Sequence, residues 1–296
     1  HFFFVPATFA EHLPFRLAST IMRSTLGLYA ATASAIAAAP RLLAPSTFPS
    51  AWPYSPSDFS RMDEANDASF YASPRVVTHI DSRAIAALRL HYVELALDFR
   101  RQRRRRVDVL DLCSSWISHM PSDAEVAARE AALEDAPLPL PVYGRIAGLG
   151  MNAAELAQNV QLGEYAVVDL NAQGDAVHLP YEDGAFDFVH CVVSIDYLSA
   201  PRAAAREVHR VLRPDGVVVL SFSNRMFPSK AVRVWLEATE EERVAIASTY
   251  LHFSGFEDVE AYELLGAEGG DPLWAVHGTK RGEVPRARSA AADELR

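Results

Sequence analysis

Apolar, strand-like runs alternate with helical segments from residue 107 onward, and this alternation constrains the fold more than any other feature. The runs are "VDVLDL" (107–112), "VYGRIAGLG" (142–150), "YAVVDL" (165–170), "FDFVHCVVSI" (186–195) and "GVVVLSFS" (216–223). Strands without a polar face are typical of a parallel sheet that helices cover on both sides. The pattern therefore predicts an α/β domain.

The helices between these strands carry recognisable start signals. "SDAEVAAREAALEDA" opens with Ser122 and has Glu125 three residues later, the spacing of a capping box. "PRAAAREVHRVL" places Pro201 in its first turn. Two more helices are expected within 229–253, followed by a strand pair across a Gly-rich turn. We predict a Rossmann-like, doubly wound, mostly parallel seven-stranded sheet with an antiparallel last strand.

The chain before the sheet differs in composition. Residues 40–60 are rich in proline and serine and are predicted to form an extended linker. Asp81 is expected to cap a helix that leads into the first strand. The predicted organisation is an N-terminal helical and extended arm with linker (1–60), a helical lead-in (61–106), the sheet domain (107–280) and a polar tail (281–296).

No acidic residue lies between Glu11 and Asp58, and the stretch is rich in alanine and serine. This composition is typical of an organelle-targeting region, for which we predict a chloroplast rather than a mitochondrion. Residues 24–39, "STLGLYAATASAIAAA", are apolar but shorter than the roughly 20 residues of a spanning helix. They are expected to be helical and to pack on a partner; a membrane contact or residual targeting sequence are the alternatives.

The arginine run at 100–106, "RRQRRRR", is either a solvated loop or a contact for an anionic partner such as phospholipid, RNA or an acidic protein face. The net charge of −10 argues against general nucleic-acid affinity, and we predict no specific nucleic-acid partner. Cys113 and Cys191 are expected to be buried free thiols. His119 and His190 lack metal-like spacing, so packing or surface roles are predicted and no metal site.

Two motifs carry a family resemblance. "GDAVHLPYEDGAFDFV" (174–189) and "REVHRVLRPDGVVVLSFS" (206–223) resemble blocks of the class I S-adenosylmethionine-dependent methyltransferases, in particular the type 11 domain. The blocks "LDLCSSW", "DLN" and "SFSNR" further resemble a subgroup of methyltransferase-like proteins from plants, algae and cyanobacteria. The resemblance implies the Rossmann-like fold and S-adenosylmethionine as cofactor.

The resemblance also implies a glycine-rich loop after the first strand and an acidic residue at the end of the second. Here the glycine positions correspond to Cys113, Ser115 and Ile117, and Gly150 stands in place of the acid that binds the ribose. Loss of that charged hydrogen bond costs roughly 1.5–3 kcal/mol. We therefore predict a dissociation constant no tighter than roughly 100 µM for the cofactor.

The resemblance assigns the remaining site residues by position. The cofactor-binding candidates are Asp111, Cys113, Ser115, Gly150, Asn152 and Asp175, with Asp169 as the alternative to Asp175. Ser194, Asp196 and Tyr197, in "SIDYL" after the fourth strand, are the catalytic candidates. Asn224 and Arg225, after the fifth, are predicted to bind an anionic substrate group or to cap a turn.

Two functions compete on these observations. The altered glycine loop favours a non-catalytic or weakly active accessory subunit that joins protein partners of an organellar assembly through its N-terminal arm. The alternative is an active S-adenosylmethionine-dependent methyltransferase on a small-molecule acceptor, since methyl transfer to a good nucleophile requires mainly positioning and desolvation.

Overall fold

The computed structural model describes residues 40–133 and 141–282, which belong to one compact unit. Its strands are β1 (Arg41–Leu42), β2 (Val107–Leu112), β3 (Tyr143–Gly150), β4 (Glu164–Val167), β5 (Phe186–Val192), β6 (Leu212–Phe222), β7 (Glu257–Leu265) and β8 (Leu273–Lys280). They form one sheet in the order β1-β7-β8-β6-β5-β2-β3-β4. The Rossmann-like fold is thus confirmed.

The direction of the strands follows the prediction for all but one of them. β2 to β6 are parallel to their neighbours within that group, and β8 runs antiparallel to both β6 and β7. The predicted seven strands become eight because β1 adds to the outer edge of β7 in the antiparallel sense. Asp111 and Gly150 lie at neighbouring strand ends, as expected.

The helices are α1 (Asp67–Phe70), α2 (Ser82–Arg103), α3 (Asp123–Ala131), α4 (Ala153–Leu156), α5 (Pro201–Val211), α6 (Arg233–Glu237) and α7 (Glu240–His252). Three start where the sequence signals predict them. Asp81 accepts a hydrogen bond from the Ala84 amide, Ser122 and Glu125 form the capping box of α3, and Pro201 opens α5. The core lies on both sheet faces, with α2 on one and α5 and α7 on the other.

Residues 40–60, expected in an arm that extends away from the sheet, instead lie on it. β1 pairs with β7, and the Leu43 amide donates to the Ala261 carbonyl at 2.8 Å. Trp52 packs against Tyr250 of α7, with ring centroids 6.0 Å apart. Aromatic side chains spaced along the linker supply the apolar surface that orders it. Residues 24–39, the predicted partner-binding or membrane-contacting helix, lie outside the described residues.

The arginine run is mostly exposed to solvent, as one of the two interpretations predicts, but it begins within a helix. The helix α2 continues through Arg103, and Arg100 forms a buried ion pair with Glu130 at 3.2 Å. Arg105 and Arg213 both bind the carboxylate of Asp187, which is 1% exposed. Three arginines of the run therefore pair with buried carboxylates of their own domain: Arg100 with Glu130, and Arg103 and Arg105 with Asp187. Asp187 is the second residue of β5 and needs cationic partners inside the sheet.

The ion pairs around Asp187 should make it a strong stability determinant. We expect Asp187→Ala to lower the free energy of unfolding by about 2–3 kcal/mol, since it leaves partly buried arginines without their carboxylate. Urea denaturation measures the change. The control Glu237→Gln removes a 63% exposed partner of Arg233 and should cost less than about 0.5 kcal/mol. Equal effects of the two substitutions would contradict this assignment.

Candidate functional site

A cavity of about 430 Å³ lies at the carboxyl ends of the parallel strands. Loops that follow β2, β3, β5 and β6 line it, including Asp111, Asn152, Ser194 and Arg225. The point where strand order reverses, between β2 and β5, is where open α/β sheets bind ligands. The volume lies within the usual range of small-molecule sites.

A segment before the sheet domain forms the roof of this cavity. We call residues 71–79 the roof segment. Hydrogen bonds to loops of the sheet hold it: the Arg75 amide donates to Glu155 Oε1 at 2.6 Å, Asn152 Nδ2 to the Tyr71 carbonyl at 2.8 Å, and Trp116 Nε1 to the Val77 carbonyl at 2.9 Å. The sequence predicts no role for this segment, because it has neither helical nor strand periodicity.

The loop after β2 has a left-handed backbone conformation of the kind that glycine favours, although it contains no glycine. Cys113 has φ of 59°, in the left-handed region, whereas Ser115 and Ile117 do not have positive φ. Ser114 then turns back over β3, and its amide donates to the Leu149 carbonyl at 2.7 Å. Only the first of the three corresponding positions therefore requires the conformation that glycine favours.

Gly150 is required by this crossing. A Cβ at Gly150 would lie 2.1 Å from the Ser114 carbonyl oxygen, so no side chain fits at this strand end. The path of the loop after β2 thus explains why the end of β3 has no acidic residue to bind the ribose. The nearest replacement in chemical type is Glu155 of α4, which is buried and lines the cavity. Its carboxylate already accepts from the Ser115 hydroxyl at 2.5 Å and from the Arg75 amide.

Asp111 lies near residues that are distant from it in the sequence, among them His190. It is 3% exposed and accepts from the Ser114 hydroxyl at 2.6 Å, and burial raises the pKa of its carboxyl to about 7. His190 Nδ1 lies 3.8 Å from Asp111 Oδ1. His119 lines the cavity with Asp111. His190 has the predicted packing role, since its ring centroid lies 5.2 Å from that of Tyr92 and 5.5 Å from that of Phe188. With Asp111 the two histidines also form a buried cluster of titratable side chains.

Burial keeps both histidines of this cluster neutral. It lowers the pKa of His190 to about 3 and that of His119 to about 4, in the latter case aided by the neighbouring His190. Both ring nitrogens of His190, and Nδ1 of His119, have no hydrogen-bond partner in the described part of the chain. Buried polar atoms left without partners commonly mark a functional site.

The catalytic candidates after β5 separate into two groups. Ser194 and Tyr197 line the cavity, and the Tyr197 hydroxyl accepts from the Phe227 amide at 2.9 Å. Asp196 is buried but does not line it, and burial raises its pKa to about 7. Val193, which precedes them, has φ of 44°, a strained value for a β-branched residue.

A smaller cavity of about 90 Å³ adjoins the first. The two share five lining residues: Tyr71, Cys113, Met151, Ser194 and Tyr197. Asp169 lines the smaller cavity, whereas Asp175 lies in a separate surface pocket beside Trp52 and Arg202. Of these two alternative cofactor-binding candidates, the fold thus places Asp169 beside the main cavity and Asp175 away from it.

The two cysteines also meet near these cavities. Cys191 is buried, and its pKa is raised well above the ordinary value by a hydrogen bond with Cys113 and by burial. Cys113 is half-buried and free. Within residues 40–133 and 141–282, no three His, Cys, Asp or Glu side chains group as metal ligands. None of the helices described there is long and apolar enough to cross a bilayer.

Comparisons with known proteins agree with the fold. Residues 137–220 match the family described as a methyltransferase domain. The demethylmenaquinone methyltransferase of Staphylococcus epidermidis is 36% identical over 75 residues, which are 24% of this chain and 26% of that protein. The corresponding protein of Lactobacillus johnsonii is 35% identical over 78 residues, 25% of this chain and 32% of that protein. The chain thus spans about a quarter to a third of these curated relatives.

Solved structures add two similar chains. A phosphoethanolamine N-methyltransferase of Haemonchus contortus, in complex with S-adenosylmethionine, has a TM-score of 0.40 and 12% identity over 70% of this chain and 61% of that one. An S-adenosylmethionine-dependent methyltransferase of Mesorhizobium loti has a TM-score of 0.37 and 18% identity; the match covers 59% of this chain and 91% of that one. The resemblance to class I methyltransferases is confirmed by the matched domain; the loop at 113–117 lies outside the matched residues.

The raised pKa of Asp111 predicts a pH-dependent stability. The unfolded chain releases this proton near pH 4, and the folded chain only near pH 7. The contribution of Asp111 to the free energy of unfolding is therefore fully present below about pH 4 and is lost as pH rises to about 7.

Asp111→Asn should remove this dependence, so the variant should gain a few kcal/mol relative to the parent protein between about pH 4 and 7. Urea denaturation at several pH values measures the gain. Asp175→Asn, which replaces an exposed carboxylate of the same chain, is the control. Parallel stability curves for Asp111→Asn and the parent would contradict the assignment.

Proposed function

We propose that the protein binds S-adenosylmethionine across the two adjoining cavities and transfers its methyl group to a small acceptor in the larger one. The observation that carries this proposal is the pair of cavities at the switch point of a methyltransferase-like sheet, with five lining residues in common. Two ligands that react with each other require contiguous sites.

The chemistry of the lining residues fits the cofactor. Asp111 and Asp169 offer carboxylates for amino groups, and the rings of Tyr71, Trp116 and Tyr197 offer faces that attract a cation. Gly150 leaves the ribose without its usual acid, which supports weak binding. When bound, S-adenosylmethionine would supply an electrophilic methyl group on a sulfonium centre.

Asp111 is the residue that we assign to proton transfer. Its carboxyl has a pKa near 7, so its ionised form can accept the proton that a hydroxyl or amine acceptor releases on methylation. His190 lies behind Asp111, on the side away from solvent, and is fully buried. The roof segment contributes Tyr71, Arg75, Val77, Thr78 and His79 to the lining, which reduces the access of water to the site and strengthens these electrostatic interactions.

Binding of S-adenosylhomocysteine to the full chain tests the proposal by calorimetry. We expect a dissociation constant near 100 µM, roughly the value that loss of one charged hydrogen bond leaves. Asp169→Ala should weaken binding about tenfold, because it removes a carboxylate from the smaller cavity. Asp175→Ala, in its separate pocket, is the matched control and should leave binding unchanged. Absence of binding at millimolar ligand would sink the proposal.

A second candidate remains the accessory subunit of a chloroplast assembly. One observation favours it: both oxygens of Glu155 are already engaged by the protein's own Ser115 and Arg75, so the acid nearest the ribose position is satisfied without a ligand. On this proposal residues 1–39 contact protein partners or lipid, while the sheet domain serves as a scaffold.

Deletion of residues 1–39 separates the two candidates better than deletion of residues 1–60, since residues 40–60 pack on the sheet. If the protein is an assembly subunit, the shortened chain should no longer co-migrate with the large complex on size-exclusion chromatography of chloroplast extract. It should also retain the binding of S-adenosylhomocysteine found for the full chain. Co-migration of the shortened chain would remove support for the subunit.

A further inference from the structure

The guanidinium of Arg75 stands out among the charged groups of the roof segment. Its Nη2 donates to the Phe70 carbonyl at 2.8 Å, and the group lies over the Phe70 ring at 4.3 Å. Nη1 is buried and has no hydrogen-bond partner among the described residues. No carboxylate in that part of the chain forms an ion pair with it, since Glu155 binds only the Arg75 backbone amide.

This arrangement is unfavourable without a ligand. The buried Nη1 loses its hydration without gaining a hydrogen bond among the described residues. The rings of Phe70, Tyr71 and Phe227, whose centroids lie 4.3, 5.8 and 5.6 Å from the guanidinium carbon, compensate for this loss only in part. The contact with Phe70 fixes the plane of the guanidinium, and the hydrogen bonds of Phe70 and Glu155 fix its position. A planar, oriented guanidinium with a free N–H edge matches carboxylate and phosphate groups better than any other anion receptor in proteins.

Other groups that line the cavity complement an anionic molecule of small size. Arg225 also lines it, is 64% exposed and lies 3.6 Å from Asp271, so it adds a second, weaker positive charge. His119 has a buried Nδ1 that finds no hydrogen-bond partner in the described ranges of the chain. The carboxyl of Asp111 and the imidazole of His119 belong to the same lining as Arg75, so a molecule held at its anionic end could place its other end against them.

We propose that the larger cavity binds a small anionic molecule whose carboxylate or phosphate pairs with Arg75, with Arg225 as a secondary contact. As the methyl acceptor, this molecule would present its nucleophile to Asp111 and His119; that role rests on the proposed function, whereas the anion site itself does not. The acceptor class is therefore a hydroxy or amino compound that carries one acidic group.

Three fluorinated probes test the anion site on the full chain by ¹⁹F NMR titration: 4-fluorobenzoate, 4-fluorophenyl phosphate and the neutral 4-fluorobenzamide. We expect at least one of the anions to bind about tenfold more tightly than the amide, and the tighter of the two identifies carboxylate or phosphate. Arg75→Gln should abolish the preference, and Arg75→Lys, which keeps the charge but not the planar fork, should retain part of it. Arg225→Gln should reduce it by a smaller factor.

Arg206→Gln is the matched control, because Arg206 is exposed on α5 and has no hydrogen bond or ion pair with any residue in 40–133 or 141–282; it should leave the preference intact. Thermal melting of each variant monitors folding. Equal binding of the amide and both anions, or a preference that survives in Arg75→Gln, would overturn the proposal. Binding of S-adenosylhomocysteine is measured in parallel: its absence alongside anion binding refutes the methyltransferase function only, and its presence without anion binding refutes the anion site only.

Discussion

The crossing of the loop after β2 over the end of β3 is the contact on which the rest of the site depends. Ser114 binds the Leu149 carbonyl, and its own carbonyl lies where any side chain at position 150 would be. The crossing places Ser115 against Glu155, and Glu155 in turn binds the amide of Arg75. A single glycine thus permits a chain of hydrogen bonds that ends at the roof of the cavity.

The same crossing also explains why a loop without glycines can occupy this position. Glycine is needed in such loops where the dihedral angles or the space exclude Cβ. Here the left-handed angle falls on Cys113 alone, and the steric demand moves to Gly150 on the neighbouring strand. The position that requires glycine thus lies at the end of β3 and not in the loop after β2. The sequence of the loop alone does not indicate this.

The sequence predicted those parts of the molecule that depend on local signals. The mostly parallel sheet with its antiparallel last strand, the caps at Asp81 and Ser122 and the start of α5 follow from periodicity and from short-range hydrogen bonds. It did not predict contacts between residues distant along the chain. The pairing of Arg105 with Asp187, the approach of His190 to Asp111 and the docking of Trp52 on Tyr250 all join segments that only the folded sheet brings together. The roles of Glu155 and Arg75 were missed for that reason.

The choice between an enzyme and a scaffold is physically a question of which buried groups lack a partner. Within the part of the chain that the structure describes, Arg75 Nη1 and His119 Nδ1 have no hydrogen-bond partner beside the cavity. A scaffold has no reason to leave them so, since each costs free energy that packing must offset. Glu155, by contrast, is satisfied internally and serves the structure. The unsatisfied groups line the larger cavity, in which we propose that the acceptor binds. A ligand-binding role of this fold therefore concerns the acceptor at least as much as the cofactor.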